Sequence, residues 1–176
     1  MPFDISSYAN TMAQYNQWMN QQLYRAVATL EDRRRKQDCG LFFHSIHGTL
    51  NHLLLCDRMW LARFQGQPFR ASGLDKELYA QFEALAEARE ETDGVIIQWA
   101  LGLDSETLPK RLHYRSLSAQ TDRDMDYCLA VTHFFNHQTH HRGQITAALS
   151  RQGIDFGITD LIFMPSAAVR DQVGRY

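Results

Sequence analysis

Several things are scarce in this chain, and each scarcity excludes something. Charge of one sign is scarce: 18 Lys and Arg against 20 Asp and Glu leave a formal net charge of −2. That balance excludes a surface dominated by the positive field that a phosphate backbone requires, so no nucleic-acid partner is expected. Long hydrophobic runs are missing; the longest unbroken one, Tyr127–Val131, is far too short to span a bilayer, so no membrane partner is expected either. Cysteine is scarce, with Cys39, Cys56 and Cys128 widely spaced and no CxxC pair. Neither a disulfide framework nor a thiolate zinc knuckle can be built from them. The expectation is a reducing, cytoplasmic setting in which Cys56 and Cys128 are buried free thiols packing as small hydrophobes. The opening Met1-Pro2-Phe3-Asp4 shows no basic and then apolar segment of a secretory leader. The four prolines leave long stretches free to be helical.

What remains suits one all-α domain over residues 1–176. The 44% hydrophobic content is enough for one core, and the 22% of charged residues is ordinary for a folded chain. Tyr8, Met12, Tyr15, Met19, Leu23, Val27 and Leu30 step by three or four, which predicts an amphipathic first helix. The basic run Arg33–Lys36 reads as a solvated loop. A second helix is expected from about Asp38, a good N-cap, to about Phe64, stopped by Gly66 and Pro68. A third is expected from about Asp75 to Leu103, with Gly94 breaking or bending it. Residues 110–121, where Leu112 and Tyr114 alternate with polar neighbours, suggest a short extended segment. A fourth helix is expected from about Arg123 to Arg151, ending at Gly153. Leu161–Pro165 reads as an apolar strap across the domain. Four long helices in one domain imply a helical bundle.

Histidine is in excess. There are eight, and they cluster: His44, His47 and His52 in one group, His133, His137, His140 and His141 in another, with His113 apart. At about 100° per residue, His133 and His141 lie about 40° either side of His137, and Gln144 about 20° away. Ala130, Phe134, Ile145 and Ala148 share that face. Imidazoles aimed into an apolar stripe are costly unless something satisfies them. Two histidines four residues apart can chelate one ion. His133 and His141 are separated by a rise of about 12 Å and cannot share one. The pair is therefore His133/His137 or His137/His141, with a third ligand from the second helix, either His52 or the His44/His47 pair. Helix-to-helix ligation is a known use of bundle cores.

Three stretches carry a family resemblance: Tyr15-Asn16-Gln17-Trp18-Met19-Asn20, Thr49–Leu61 around His52, and His133-Phe134-Phe135-Asn136-His137-Gln138-Thr139-His140-His141-Arg142-Gly143-Gln144-Ile145. In these the chain resembles the DinB/YfiT-like superfamily of DNA-damage-inducible metalloenzymes. The resemblance implies a four-helix bundle with a long crossover connection, often homodimeric. It also implies three metal ligands, His52, His137 and His141; beside them, His133 is a candidate to support the ligands by hydrogen bonding, and Gln144, on the His137 face, to orient a ligand or to make a core hydrogen bond. Three neutral imidazoles leave coordination positions open, as catalytic rather than structural zinc sites do, and the set suits Zn, Ni or Fe alike. The function implied is a metal-dependent enzyme on a small molecule, of thiol-dependent S-transferase or isomerase type using a low-molecular-weight thiol. A metal-dependent hydrolase, a non-enzymatic metal-binding stress-response protein, and a structural dimer with satisfied core histidines are the alternatives. No carboxylate stands at helical spacing to the three histidines to act as a general base. Asp57 is expected to make a salt bridge or pack, Trp18 and Trp60 to be core, and His140 and Arg142 to lie on flanking or outer faces.

Overall fold

A computed structural model describes residues 4–165. Helix α1 (Ile5–Ala28) begins where the Asp4 side chain accepts from the Ser7 backbone N–H at 2.8 Å, satisfying one orphan amide of the first turn. Its core residues Ala9, Ala13, Met19, Leu23 and Val27 keep the helical period. The basic run expected to be a solvated loop is instead a short helix, α2 (Asp32–Lys36). Lys36 pairs with Asp32 at 2.7 Å one turn back, and Arg35 is buried with its guanidinium 4.5 Å from the Phe82 ring centroid. One of the four cations is thus a packing residue.

Helix α3 (Ile46–Phe64) starts at Ile46 rather than near Asp38. The Asp38 carboxylate closes its own turn by accepting from Gly40 N–H at 2.9 Å, and Ser45 caps the helix by accepting from Gly48 N–H at 3.0 Å. Between them the chain makes a tight loop in which His44 has φ 64°, a left-handed value uncommon outside glycine. Helix α4 (Phe82–Leu101) also starts late, and residues 75–81 are irregular rather than helical. The reason is Asn51, whose side-chain oxygen accepts from the backbone N–H of both Leu78 and Tyr79, at 2.8 and 2.9 Å. Those two bonds tie the irregular segment to α3. Gly94 neither breaks nor ends α4.

The extended expectation near residue 110 becomes a hairpin, β1 (Arg111–Arg115) with β2 (Asp122–Asp126), in antiparallel register from Arg111↔Asp126 to Arg115↔Asp122. Arg111 grips Asp124 with two bonds of 3.0 and 2.8 Å. Residues 123–126, expected to be helical, are strand; helix α5 (Tyr127–Arg151) begins after Asp126, which caps it by accepting from Leu129 N–H at 2.9 Å. Cys128 is exposed, contrary to expectation, because Tyr127, Ala130 and Val131 take the core side of this first turn. Cys56 is buried as expected.

Helices α1 and α3 each pack against both α4 and α5, so α1 and α3 occupy opposite corners of a four-helix bundle. The tail after α5 is docked on α1: Tyr15 donates its hydroxyl to the Thr159 carbonyl at 2.6 Å, and Met164 buries against Tyr15 and Met19. The strap is only partly apolar-inward, since Leu161, Ile162 and Phe163 form a 3-10 turn that faces solvent.

The apolar core is divided. One cluster surrounds Leu55, Trp60, Phe134 and Phe135; the other surrounds Leu23, Leu50, Leu54 and Ile145. Between them lies a buried polar layer contributed by all four long helices. Arg89 bonds Asp57 at 2.5 Å and Asp93 at 2.9 Å; Asn16 and Asn20 each donate to Asp93 at 2.9 Å; Gln138 donates to Asp57 at 2.9 Å. Arg142 reaches Asn16 from α5. Asp57 thus has the salt bridge anticipated for it. Arg142 was expected outside and is only 3% exposed.

Candidate metal centre between helices α3 and α5

Helix α3 supplies His52 and Cys56, one turn apart on one face, and α5 supplies His137 and His141 at the same spacing. Where the helices pack, Nε2 of His52 lies 3.3 Å from Nε2 of His137. The His141 ring centroid is 4.7 Å from that of His52 and 4.5 Å from that of His137. His52, Cys56 and His137 bring three potential ligand atoms within 4.8 Å of one another, a cluster that could hold a metal ion.

The donor set fits such an ion. The Nδ1–H of His52 donates to the Leu74 carbonyl at 2.8 Å, which leaves its Nε2 lone pair facing His137. The Nδ1–H of His141 donates to Gln144 Oε1 at 2.9 Å and frees its Nε2 likewise. Carbonyls and amides beside metal-ligating imidazoles fix the tautomer in this way. The 3.3 Å gap between the two Nε2 atoms is long for a hydrogen bond. It equals the edge, about 3.3 Å, of a tetrahedron of nitrogens bound to zinc at about 2.05 Å. Burial, reinforced by the neighbouring rings, pushes His137 down to about 3; burial takes His141 down to about 4. Burial also lowers His52. These imidazoles are neutral at physiological pH, the state that ligates.

Cys56 was missed as a candidate; its position four residues after His52 was the available signal. Its Sγ lies 3.7 and 3.6 Å from Nδ1 and Nε2 of His52, equally far from both and so along the lone pair of neither. Burial pushes its thiol up to about 12, which holds it protonated.

The other histidines separate from the centre. His47 is 2% exposed and bonds the Tyr79 carbonyl through Nε2 at 2.9 Å, a core role. His44 is exposed near Asp38, and His113 lies on the hairpin beside Asp124. His140 is exposed, with Nε2 3.3 Å from the Gln144 amide. The His133 ring lies 5.1 Å from Trp60 and 5.9 Å from His137. Trp60 is buried and Trp18 packs partly buried beside Tyr15.

Phe43 forms one wall. Its ring stacks on His52 at 3.7 Å, held there by the tight loop before α3. Gly48 lets that loop close, because a Cβ there would sit 2.4 Å from the Phe43 carbonyl oxygen. Gly48→Ala is therefore expected to displace Phe43 and to cost about 1–3 kcal/mol of overpacking, more than the helix-propensity gain of about 1 kcal/mol. Thermal unfolding and loss of the Phe43 ring-current shift on the His52 resonances would report it; an unshifted His52 would show that the glycine is not required.

On the opposite side the centre opens into a cavity of about 290 Å3 lined by Cys56, Trp60, Arg63, Tyr114, Ser116 and His133, among others. A larger cavity of about 500 Å3 lies between α1 and α4, but its lining, including Tyr24, Arg89 and Asp93, holds no imidazole or thiol. No described helix is long and apolar enough to cross a membrane.

Comparison with known proteins agrees with this architecture. The DinB family profile matches residues 5–172. The protein DinB of Bacillus subtilis (strain 168) is 31% identical over 162 residues, covering 89% of this chain and 92% of that one. The crystal structure of a DinB-like protein from Bacillus cereus ATCC 10987 superposes with a TM-score of 0.56 at 17% identity, over 80% of this chain and 90% of that one, and shows the shared fold. On the family match and the curated relative together, the chain belongs to the DinB family.

Proposed function

We propose that His52, His137 and His141 hold one divalent ion, and that the protein is a metal-dependent enzyme of the thiol-dependent S-transferase or isomerase type acting on a small molecule. The observation that carries this reading is the convergence of three neutral imidazoles from two helices, two of which, His52 and His137, line a cavity. Cys56 is the competing third ligand; its placement off both lone pairs of His52, and the resemblance that implies a third histidine, favour His141. A bound ion supplies Lewis acidity and favours the deprotonated form of a coordinated thiol or water. The chain's own residues hold the imidazoles in the ligating tautomer through Leu74 and Gln144, and Phe43 shields one face of His52 from water.

The cavity lining contains no Asp or Glu. The nearest buried carboxylate, Asp57, is committed to Arg89 and Gln138. Hydrolysis here would have to rely on metal-bound water as its own base, and thiol transfer on a metal-bound thiol. Transfer of a thiol to an electrophile ranks above hydrolysis because it is the chemistry that the family resemblance implies. The test is a turnover screen of metal-reconstituted protein with low-molecular-weight thiols and electrophiles. Thiol-dependent turnover that disappears in His137→Ala is expected. Turnover of esters or amides without thiol would favour the hydrolase, and metal binding with no turnover across the panel would favour a metal-binding stress-response protein.

A further inference from the structure

Among the described residues, Arg63 is the one Lys or Arg lining the cavity beside the histidine centre, and no carboxylate pairs with it. Its guanidinium lies 4.6 Å from the Trp60 ring centroid on α3 and 4.3 Å from that of Tyr114 on the hairpin, against two rings whose own centroids are 5.4 Å apart. Among the described residues its guanidinium makes one hydrogen bond, a long one of 3.4 Å to the Arg115 carbonyl. The contrast with other arginines is plain: Arg89 has Asp57 and Asp93, Arg111 has Asp124, and Arg115 has Asp122. Among the described residues no Asp or Glu oxygen lies within ion-pair distance of Arg63, and none lines the cavity. The hydroxyls of Ser116 and Ser118, 3.4 Å apart at the hairpin tip, line the same space. A guanidinium resting against two rings keeps N–H groups free on its other sides, and a planar fork of that kind matches a carboxylate with two parallel N–H bonds.

We propose that the small-molecule substrate carries a carboxylate, which Arg63 binds at the hairpin end of the cavity while the reacting end lies at the histidine centre. The proposal rests on the reading of that centre as a metal site. Arg63 is a specificity-determining residue in this account: it selects and orients the substrate and takes no part in bond making. Cations find no counter-charge in this cavity, and neutral molecules leave the guanidinium unpaired. His52 and Arg63 are separated along α3 by a rise of about 16 Å, shortened by the backward lean of the Arg63 side chain. A substrate must therefore be several bonds long between its two anchored ends.

The test uses the zinc- or cobalt-loaded protein and a series of ω-mercaptoalkanoates of increasing chain length, each compared with its neutral ω-mercaptoamide. Thiol binding is followed by the cobalt visible spectrum and by calorimetry. In the wild-type protein the carboxylate is expected to bind tighter than the amide by about 10-fold or more, the worth of one charge-assisted pair, at the longer chain lengths. Arg63→Gln is expected to abolish that preference while leaving amide affinity and metal content unchanged, and Arg63→Lys to retain part of it. Equal binding of acid and amide at every length in wild type, or a preference that survives Arg63→Gln, would overturn the proposal and leave the metal reading standing. A wild-type protein that takes up no stoichiometric ion would overturn the metal reading, and this one with it. Metal content is measured separately, so the two failures are distinguishable.

Discussion

Alanine at His137 is expected to weaken divalent-metal binding by more than about 100-fold, since even residues that only orient metal ligands are worth 10- to 100-fold. His137 is the ring that faces both other imidazoles: its Nε2 is 3.3 Å from His52, and its centroid is 4.5 Å from His141. His52→Ala and His141→Ala should match it in competition with a chromogenic chelator. Gln144→Ala should fall in the smaller range of about 10- to 100-fold, because it loses the acceptor that fixes the His141 tautomer but no ligand. His133→Ala, whose ring rests on Trp60, should change affinity little. A different ranking, with Cys56→Ala equal to His137→Ala and His141→Ala near wild type, would move the third ligand to the thiol.

The largest effect on stability is expected from Arg89→Ala. Arg89 is 3% exposed and is the shared partner of Asp57 and Asp93, themselves 1% and 2% exposed. Removing it leaves two carboxylates facing each other in a dry layer. The loss of one member of such a set costs about 3–5 kcal/mol, which for a chain of this length lowers Tm by roughly 6–20 °C. The companion variant Asp57→Asn/Asp93→Asn/Arg89→Met removes all three charges and should recover much of the loss, because replacing a whole buried ion set is often neutral or stabilising. Calorimetric unfolding of the two variants separates the cost of an orphaned charge from the worth of the layer. Equal destabilisation of both would mean that the layer contributes through packing alone. Asp57 and Gln138 of this layer stand one residue after Cys56 and His137, about 100° further round α3 and α5.

The helical periods of α1, of the later part of α3 and of α5 were legible in the sequence because each buries a stripe that repeats every three or four residues. The starts of helices were not. Asp38 is as good a cap as Ser45 by type, but it is spent on its own turn. The segment 75–81 has helical composition, yet Asn51 takes two of its amides, a contact between residues 27 and 28 positions apart. Arg123–Asp126 joins a strand because its partner Arg111–Arg115 offers the opposite charges in antiparallel register. The polar layer was invisible for the same reason. Arg142, Asn16 and Asp93 look like surface residues until three helices meet. In the candidate site, spacing narrowed the choice to His137 plus one neighbour, and family resemblance added His52 and His141. Phe43 and Arg63 carry no motif; only the loop before α3 and the hairpin packing bring one against His52 and the other to the cavity, whereas Cys56 was signalled only by its spacing from His52.

X-ray absorption at the zinc edge of the stoichiometrically loaded, untagged protein tests the central claim most directly. The account predicts one ion per chain in a shell of imidazole nitrogens at about 2.0–2.1 Å, completed by an exchangeable light ligand and free of sulfur in the absence of added thiol. A sulfur at about 2.3 Å that disappears in Cys56→Ala, or failure to retain any ion after metal-replete expression, would contradict it.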